Sequence, residues 1–496
     1  MKTTPSHVRR WRIGAVYAAL VVAPAVLAVL LLGGGPGGSA AGSAAGAAHH
    51  DSGLARLLVT IAVVVICCKL AGRAAAGIGL PAVVGEIVAG IVLGPSVLGT
   101  LWAEAQAWLF PEETVDRLGV LADLGVVLFV FLAGTELNTR MLRRSGLAAV
   151  MVSHVGIALP LAGGVLLAFA SSSVFAAEGA SFPAFALFVG VAMSISALPV
   201  LARLLGDAGV QHTRLAAIAL SSALIDDVTA WCLLALVVAM AGTGSFAAVA
   251  LVLALVGGFV AVLLGLLRPL LARVLDRPWM RRGRFATTVV VVLVLLCSVA
   301  TETIGVHAIF GAFLLGMILP RDHPVVEETR SAVEGLTGVL LLPVFFAVTG
   351  LRTELDALLL APHLWGWLLV FLVVAFTGKL GGAALAARVS GETWEQAARI
   401  GLLMNCRGLT ELIVLNVGLG LGLITGDLFG VMVLVALVST VLTAPAVRFR
   451  GGRSRERDEP EGRAGPEVVR PRTPADDGAV GPAAEPPSDV SLTPAP

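Results

Sequence analysis

Charge is scarce in this chain: Asp, Glu, Lys and Arg make up only 14% of its 496 residues, against about 25% in a soluble domain. Hydrophobic residues make up 57% and mean hydropathy is +0.93, so the composition suits lipid rather than water. The five cysteines (Cys67, Cys68, Cys232, Cys297 and Cys406) all fall in apolar stretches without metal-ligand spacing. They read as inert buried thiols. The eight histidines are scattered and form no ligand cluster, and no cofactor is implied. A net charge of +1 indicates no partner by itself, and a nucleic-acid partner is not expected. What remains is a polytopic all-α membrane protein whose partner is the lipid bilayer.

A helix needs about 20 apolar residues to cross the hydrocarbon core. Fourteen runs qualify, near 12–33, 54–73, 80–98, 118–138, 146–170, 183–205, 215–241, 246–273, 285–304, 306–320, 335–351, 362–388, 396–419 and 427–447. The tenth is short enough to be tilted or half-buried. With the N-terminus inside, 29 of the 34 basic residues fall on the cytoplasmic side, eight of them in the C-terminal tail. Arg56, Arg117 and Arg352 fall outside, and Lys379 and Arg407 lie within spans. This is the bias the positive-inside rule requires. The chain therefore divides into residues 1–53, a membrane domain over 54–447 and a tail over 448–496. The first run is either a retained helix or a secretory signal followed by the Gly/Ala-rich linker "GGGPGGSAAGSAAGAAHH". Its length favours a retained helix, giving 13–14 spans. The tail, with nine prolines among mixed charges, cannot bury a core and is expected to be disordered and cytoplasmic. It holds no Gly-rich strand–helix pattern of a nucleotide-sensing domain.

Against this background the intramembrane charges carry the information. Asp226 and Asp227 are adjacent in "LAAIALSSALIDDVTAWCLLALVVAM" (215–240), and each carboxylate at a bilayer centre costs roughly 2.5–3.5 kcal/mol. Neighbours on a helix point about 100° apart, so the two acids need different partners. Ser222 lies one turn before Asp226 and offers an oxygen on that face. Lys379, in "FLVVAFTGKLGGAALAA", needs an anion, and Asp226 or Asp227 is the natural one. Fixed pairing would account for these charges structurally; an ion or proton pathway accounts for keeping two acids together. Two spans carry polar breaks: Ser194, Ser196 and Pro199 in "AMSISALPVLARLL", and Asn405, Arg407, Gly408, Thr410 and Glu411 in "LLMNCRGLTELIVLN". Pro199 frees a carbonyl one turn back, and Arg407 and Glu411 are spaced to pair with each other. Broken helices at membrane depth mark transporter binding sites. Glu86, Asp123, Glu136, His154, Glu302 and His307 are expected to cap, pair or line a vestibule.

Six stretches taken in order resemble the monovalent cation:proton antiporter family 2, particularly its plant-type cation/proton exchanger branch and bacterial relatives. They are "VVGEIVAGIVLGPSVLG" (83–99), "SISALPVLARLL" (194–205), "LIDDVTAWCLLAL" (224–236), "GVHAIFGAFLLGMILP" (305–320), "LLPVFFAVTGL" (341–351) and "LLMNCRGLTELIVLN" (402–416). The resemblance implies two inverted repeats, a core domain plus a dimerisation domain, and crossed discontinuous helices near 183–205 and 396–419. It implies a homodimer in the plasma membrane that exchanges Na⁺ or K⁺ for H⁺. It also implies that Asp227 alternates between cation and proton while Asp226 pairs with Lys379. The absence of the regulatory domain common in relatives argues against nucleotide gating. The main alternative is a potassium efflux protein with channel-like flux, which proton coupling would distinguish. A bile-acid-type organic anion symporter shares the architecture without the adjacent acids and lysine. An intramembrane aspartyl protease would place its acids on separate helices.

Overall fold

The computed structural model describes residues 53–454 apart from 137–138, 208–212, 244–245, 278–284, 321–322 and 354–360. The first apolar run at 12–33, the linker and the tail beyond 454 lie outside the described residues, as does the side chain of Glu136. Among the described residues the chain forms helices and one isolated β-bridge between Ala176 and Ile424. Lipid offers the backbone no hydrogen bonds, and a helix satisfies its own.

The helices are α1 (Gly53–Gly77), α2 (Ala82–Leu93), α3 (Ala103–Leu109), α4 (Glu112–Glu136), α5 (Thr139–Phe175), α6 (Phe182–Ser194), α7 (Leu198–Asp207), α8 (Arg214–Thr243) and α9 (Phe246–Val262). They continue with α10 (Arg268–Leu275), α11 (Phe285–Ile304), α12 (Ala308–Ile318), α13 (Pro324–Leu336), α14 (Leu342–Leu351), α15 (Pro362–Val389), α16 (Trp394–Met404), α17 (Leu409–Gly420) and α18 (Gly426–Ser454). Among the described residues eleven segments are long and apolar enough to cross a membrane, and the α16–α17 pair, bent by 43°, makes a twelfth if it is one span. α12, with 11 residues, is the short span anticipated near 306–320. Thus each of the thirteen runs predicted within the described region has helix upon it. The run predicted at 335–351 is corrected at its start. The span begins at Pro324, because the polar stretch of α13 continues into α14 through a wide turn at Thr337–Leu341.

Packing separates two groups. In the scaffold group α1 lies on α2, α2 on α14, α4 on α12 and α14, and α11 on α12. In the core group α5 lies on α6, α8 and α15, and α16 lies on α15 and α8. These contacts repeat: α1–α2 matches α11–α12, α2–α14 matches α12–α4, and α5–α6 matches α15–α16. Since successive spans alternate in direction, matching helices run oppositely, which is an inverted repeat.

Glycine makes the scaffold contacts close. Gly90 faces Ala347 and Gly350 faces Ile87; in the other repeat Gly316 faces Phe131 and Gly134 faces Phe313. A Cβ on any of the four would lie under 3.0 Å from the facing carbonyl oxygen. The repeat is written in the sequence as "GEIVAGIVLGP" (85–95) and "GAFLLGMILP" (311–320).

Candidate functional site

The core group brings together two broken helices, α6–α7 and α16–α17. α6 stops at Ser194 because Ile195 is extended, with ψ 137°. Pro199 does not sit at the break itself, as the sequence suggested. It occupies the first turn of α7, where a missing N–H leaves no bond unmade. α16 starts with a capping box between Thr393 and Gln396 and ends at Asn405. The breaks cross and bond to each other: Ser196 Oγ donates to Met404 O at 2.6 Å, and the Ala197 N–H to Cys406 O at 2.9 Å. Gly408 permits the crossing, since a Cβ there would stand 2.8 Å from Val200 Cγ2.

A helix end leaves four carbonyls without partners. At the end of α6 all four are served by side chains. Ser194 Oγ donates to Val191 O at 2.8 Å, and Arg407 donates to Ala192 O at 3.3 Å and to Met193 O. Lys379 Nζ donates to Ser194 O at 2.5 Å. Two cations at the negative end of a helix dipole also suit its field. Arg407 further holds Glu411 Oε1 at 2.9 Å, the pairing expected from their spacing. Thr440 of α18 secures the break by donating to Arg407 O at 2.7 Å.

The two aspartates of α8 have different surroundings. Asp226 is fully buried and saturated, with Lys379 Nζ at 2.6 Å from Oδ2 and Ser153 Oγ at 2.6 Å from Oδ1. Lys379 therefore takes Asp226, not Asp227. Asp227 retains 5% exposure, and Thr410 Oγ1 stands at 3.5 Å, the limit of a hydrogen bond. Thr410 belongs to the first turn of α17, so Asp227 lies against the positive end of that half-helix. No cation within salt-bridge distance offsets it among the described residues. Nearby, both amide atoms of Asn405, Glu411 Oε2 and Arg407 Nε are buried without a hydrogen-bond partner.

Other residues singled out from the sequence stand elsewhere. Ser222 lies on the face of Asp226, but its hydroxyl donates to Ala149 O and Ile218 O, at 3.0 and 2.8 Å. Glu86 belongs to the scaffold and pairs with Lys69 at 3.2 Å rather than with a residue of the crossing. Lys69 also donates to Gly338 O, in the wide turn before α14, at 2.9 Å. Glu302 caps α12 by accepting the Ala308 N–H at 2.8 Å, and His154 is exposed and bonds its own helix at Val150 O. Sequence reasoning missed Ser153 and Thr440. A lone hydroxyl in an apolar helix gives little signal, although Ser153 beside His154 is a polar pair within an apolar run.

The family model described as "Sodium/hydrogen exchanger, transmembrane" matches residues 59–449. The chain belongs to this family. Among curated relatives, the Na(+)/H(+) antiporter NhaS4 of Synechocystis is 39% identical over 384 residues, covering 76% of this chain and 93% of that protein. Cation/H(+) antiporter 17 of Arabidopsis thaliana is 37% identical over 401 residues, covering 79% of this chain but 48% of that protein. This exchanger-family chain thus spans about half the length of its plant relatives. Among solved structures, the sodium proton antiporter MjNhaP1 of Methanocaldococcus jannaschii matches with a TM-score of 0.63 over 81% of this chain and 99% of that one. At 14% identity it supports the fold alone.

Proposed function

We propose that the cation:proton exchange of this family runs, in this chain, through Asp227, for which one monovalent cation (Na⁺ or K⁺) and one proton compete. The observation that carries this reading is an imbalance of buried charge. Lys379 cancels Asp226 and Arg407 cancels Glu411, each pair within 3 Å and sealed from solvent, while Asp227 is left over. The site therefore bears one uncompensated negative charge in a medium where such a charge is costly. A proton or a monovalent cation neutralises it, and both together do not fit one carboxylate.

A dehydrated Na⁺ or K⁺ requires hard oxygen ligands. Asp227 and Thr410 supply two, and the breaks at 195–197 and 405–408 hold backbone carbonyls and the Asn405 amide close by. Arg407 keeps its charge at any working pH and anchors the end of α6 permanently. Lys379 is able to give up its proton, so its pair with Asp226 is the one that can open. Exchange through Asp227 alone is one-for-one; release of Lys379 would add a second proton. Each net charge moved is then driven by about 2.3 kcal/mol per 100 mV. In this scheme the core group moves against the scaffold group to expose Asp227 to each side in turn. The scaffold is the surface through which two copies pair, in the plasma membrane with the tail in the cytoplasm.

The test is cation-driven proton movement in proteoliposomes, with Na⁺, K⁺ and Li⁺ in turn. Asp227→Asn is expected to abolish it while the protein still assembles. Exchange persisting in Asp227→Asn would rule out competition at a single carboxyl.

A further inference from the structure

The two groups also touch through polar side chains at one end of α17, well away from the aspartates. α17 runs from the crossing to the segment 421–425, which bonds the turn after α5 through Ala177 N–H to Leu423 O and Thr425 N–H to Phe175 O. The distribution of Lys and Arg assigns that side, and Arg352 with it, to the outside. There Asn416 of α17 donates to Thr349 Oγ1 of α14 at 3.0 Å and to Leu412 O at 2.9 Å. Its Oδ1 accepts from Arg352, just past α14, at 3.1 Å. Thr349 gives its own hydrogen to Phe345 O at 2.9 Å, leaving a lone pair for Asn416. Both amide hydrogens and the amide oxygen are thus used. The flipped amide would set oxygen against the Leu412 carbonyl and –NH₂ against the Arg352 cation.

We propose that Asn416 is a positioning residue of the exchange cycle: with Thr349 and Arg352 it latches the half-helix α17 to the scaffold on the outer side, and the latch opens each time the site turns outward. The proposal rests on the alternating exposure of Asp227 described above. Two observations support it beyond the contacts themselves. First, the repeat supplies a control. The eighth residue of α7, matching Asn416 in α17, is Leu205, and the residue before Gly134, matching Thr349 before Gly350, is Ala133. The counterparts of Asn416 and Thr349 on the inner side are therefore apolar, and the Asn–Thr contact is a one-sided feature. Second, toward the inner side the contact between the groups is apolar: Pro81, Val84 and Ile87 of the scaffold and Val200, Leu412 and Leu437 line a small recess that reaches Arg407 and Gly408, with room for about one water. With the polar contact on the outer side, the described arrangement is the one the latch favours.

A latch that favours one orientation alters apparent affinity oppositely on the two sides, because each side sees only the fraction of protein facing it. The experiment measures apparent KM for Na⁺, and then K⁺, in inside-out and right-side-out vesicles of the full chain. Asn416→Leu is expected to lower KM from the outer side and raise it from the inner side. Their ratio should move about tenfold, the change that losing a hydrogen bond or two produces. Thr349→Val and Arg352→Gln, which alter only the scaffold, should move it in the same direction by about threefold. They decide the matter if Asn416→Leu does not assemble. Both KM values moving together, or a slower maximum rate with neither KM changed, would overturn the latch, since a general structural defect has no side. Exchange persisting in Asp227→Asn would instead refute the underlying site.

Discussion

The scaffold and core groups are both closely packed, yet different forces hold them. The scaffold brings backbones together at Gly90, Gly134, Gly316 and Gly350, where the contact is shape against shape. The core holds Lys379, Asp226, Arg407 and Glu411 in two fully buried ion pairs and leaves Asp227 over. Glycine contacts have one good arrangement, because a carbonyl seated on a missing Cβ cannot slide to an equivalent place. Ion pairs can exchange partners without moving a helix. A rigid group beside a group with rearrangeable charges suits the alternating exposure of Asp227 proposed above.

Six variants would break or sharpen this contrast. The largest stability loss is expected for Lys379→Ala, which strands Asp226 in the interior and should cost about 3–5 kcal/mol, read as a fall in melting temperature in detergent. The double change Lys379→Met with Asp226→Leu should recover most of that stability without restoring native coupling, because apolar replacement of a buried pair is often neutral. If the double variant is as unstable as the single one, the pair is a structural element and the contrast fails. Next, Gly316→Ala should cost about 1–3 kcal/mol by overpacking against Phe131, and Gly90→Ala the same against Ala347. Unequal losses at these two positions would show that the repeats are not mechanically equivalent. Arg407→Lys should cost about 1–2 kcal/mol, because one ammonium cannot reach Ala192 O, Met193 O and Glu411 together. The smallest effect belongs to Lys69→Met. Its pair with Glu86 leaves the lysine side chain 31% exposed and the glutamate 9%, so about 1 kcal/mol is expected, with exchange unchanged. A transport defect in Lys69→Met would mean that the scaffold, too, handles charge.

Much of this molecule was legible before its fold was known. Asp226, Asp227, Lys379 and the polar stretches at 194–199 and 405–411 stand out because charge in a span must be justified, whatever the topology. The spans were legible for the same reason, except where α13 carries Glu327, Glu328 and Arg330 ahead of its apolar part and the hydropathy pattern starts late. The inverted repeat was hidden at the breaks, whose sequences do not align. It is visible instead in the glycine spacing of 85–90 and 311–316, where contact between backbones admits one residue type. The choice between the aspartates was implied by the family resemblance but was not legible from the residues themselves. It depends on how α8 is rotated against α5 and α15, and on a serine 73 positions away from Asp226.

By itself the sequence determined that the chain is a series of apolar runs with a strong charge bias, built to cross a membrane many times, and that a few charges within them needed company. These properties follow from the free energy of placing each residue in lipid, which is local and additive. The pairing of Lys379 with Asp226, which the resemblance implied, was seen directly only in the tertiary structure, and that structure alone decided that both cations close the end of α6 and that Asp227 has no ion-pair partner among the described residues. Those are relations between helices far apart in the chain, and they depend on distances of a few ångströms that no single stretch of sequence encodes.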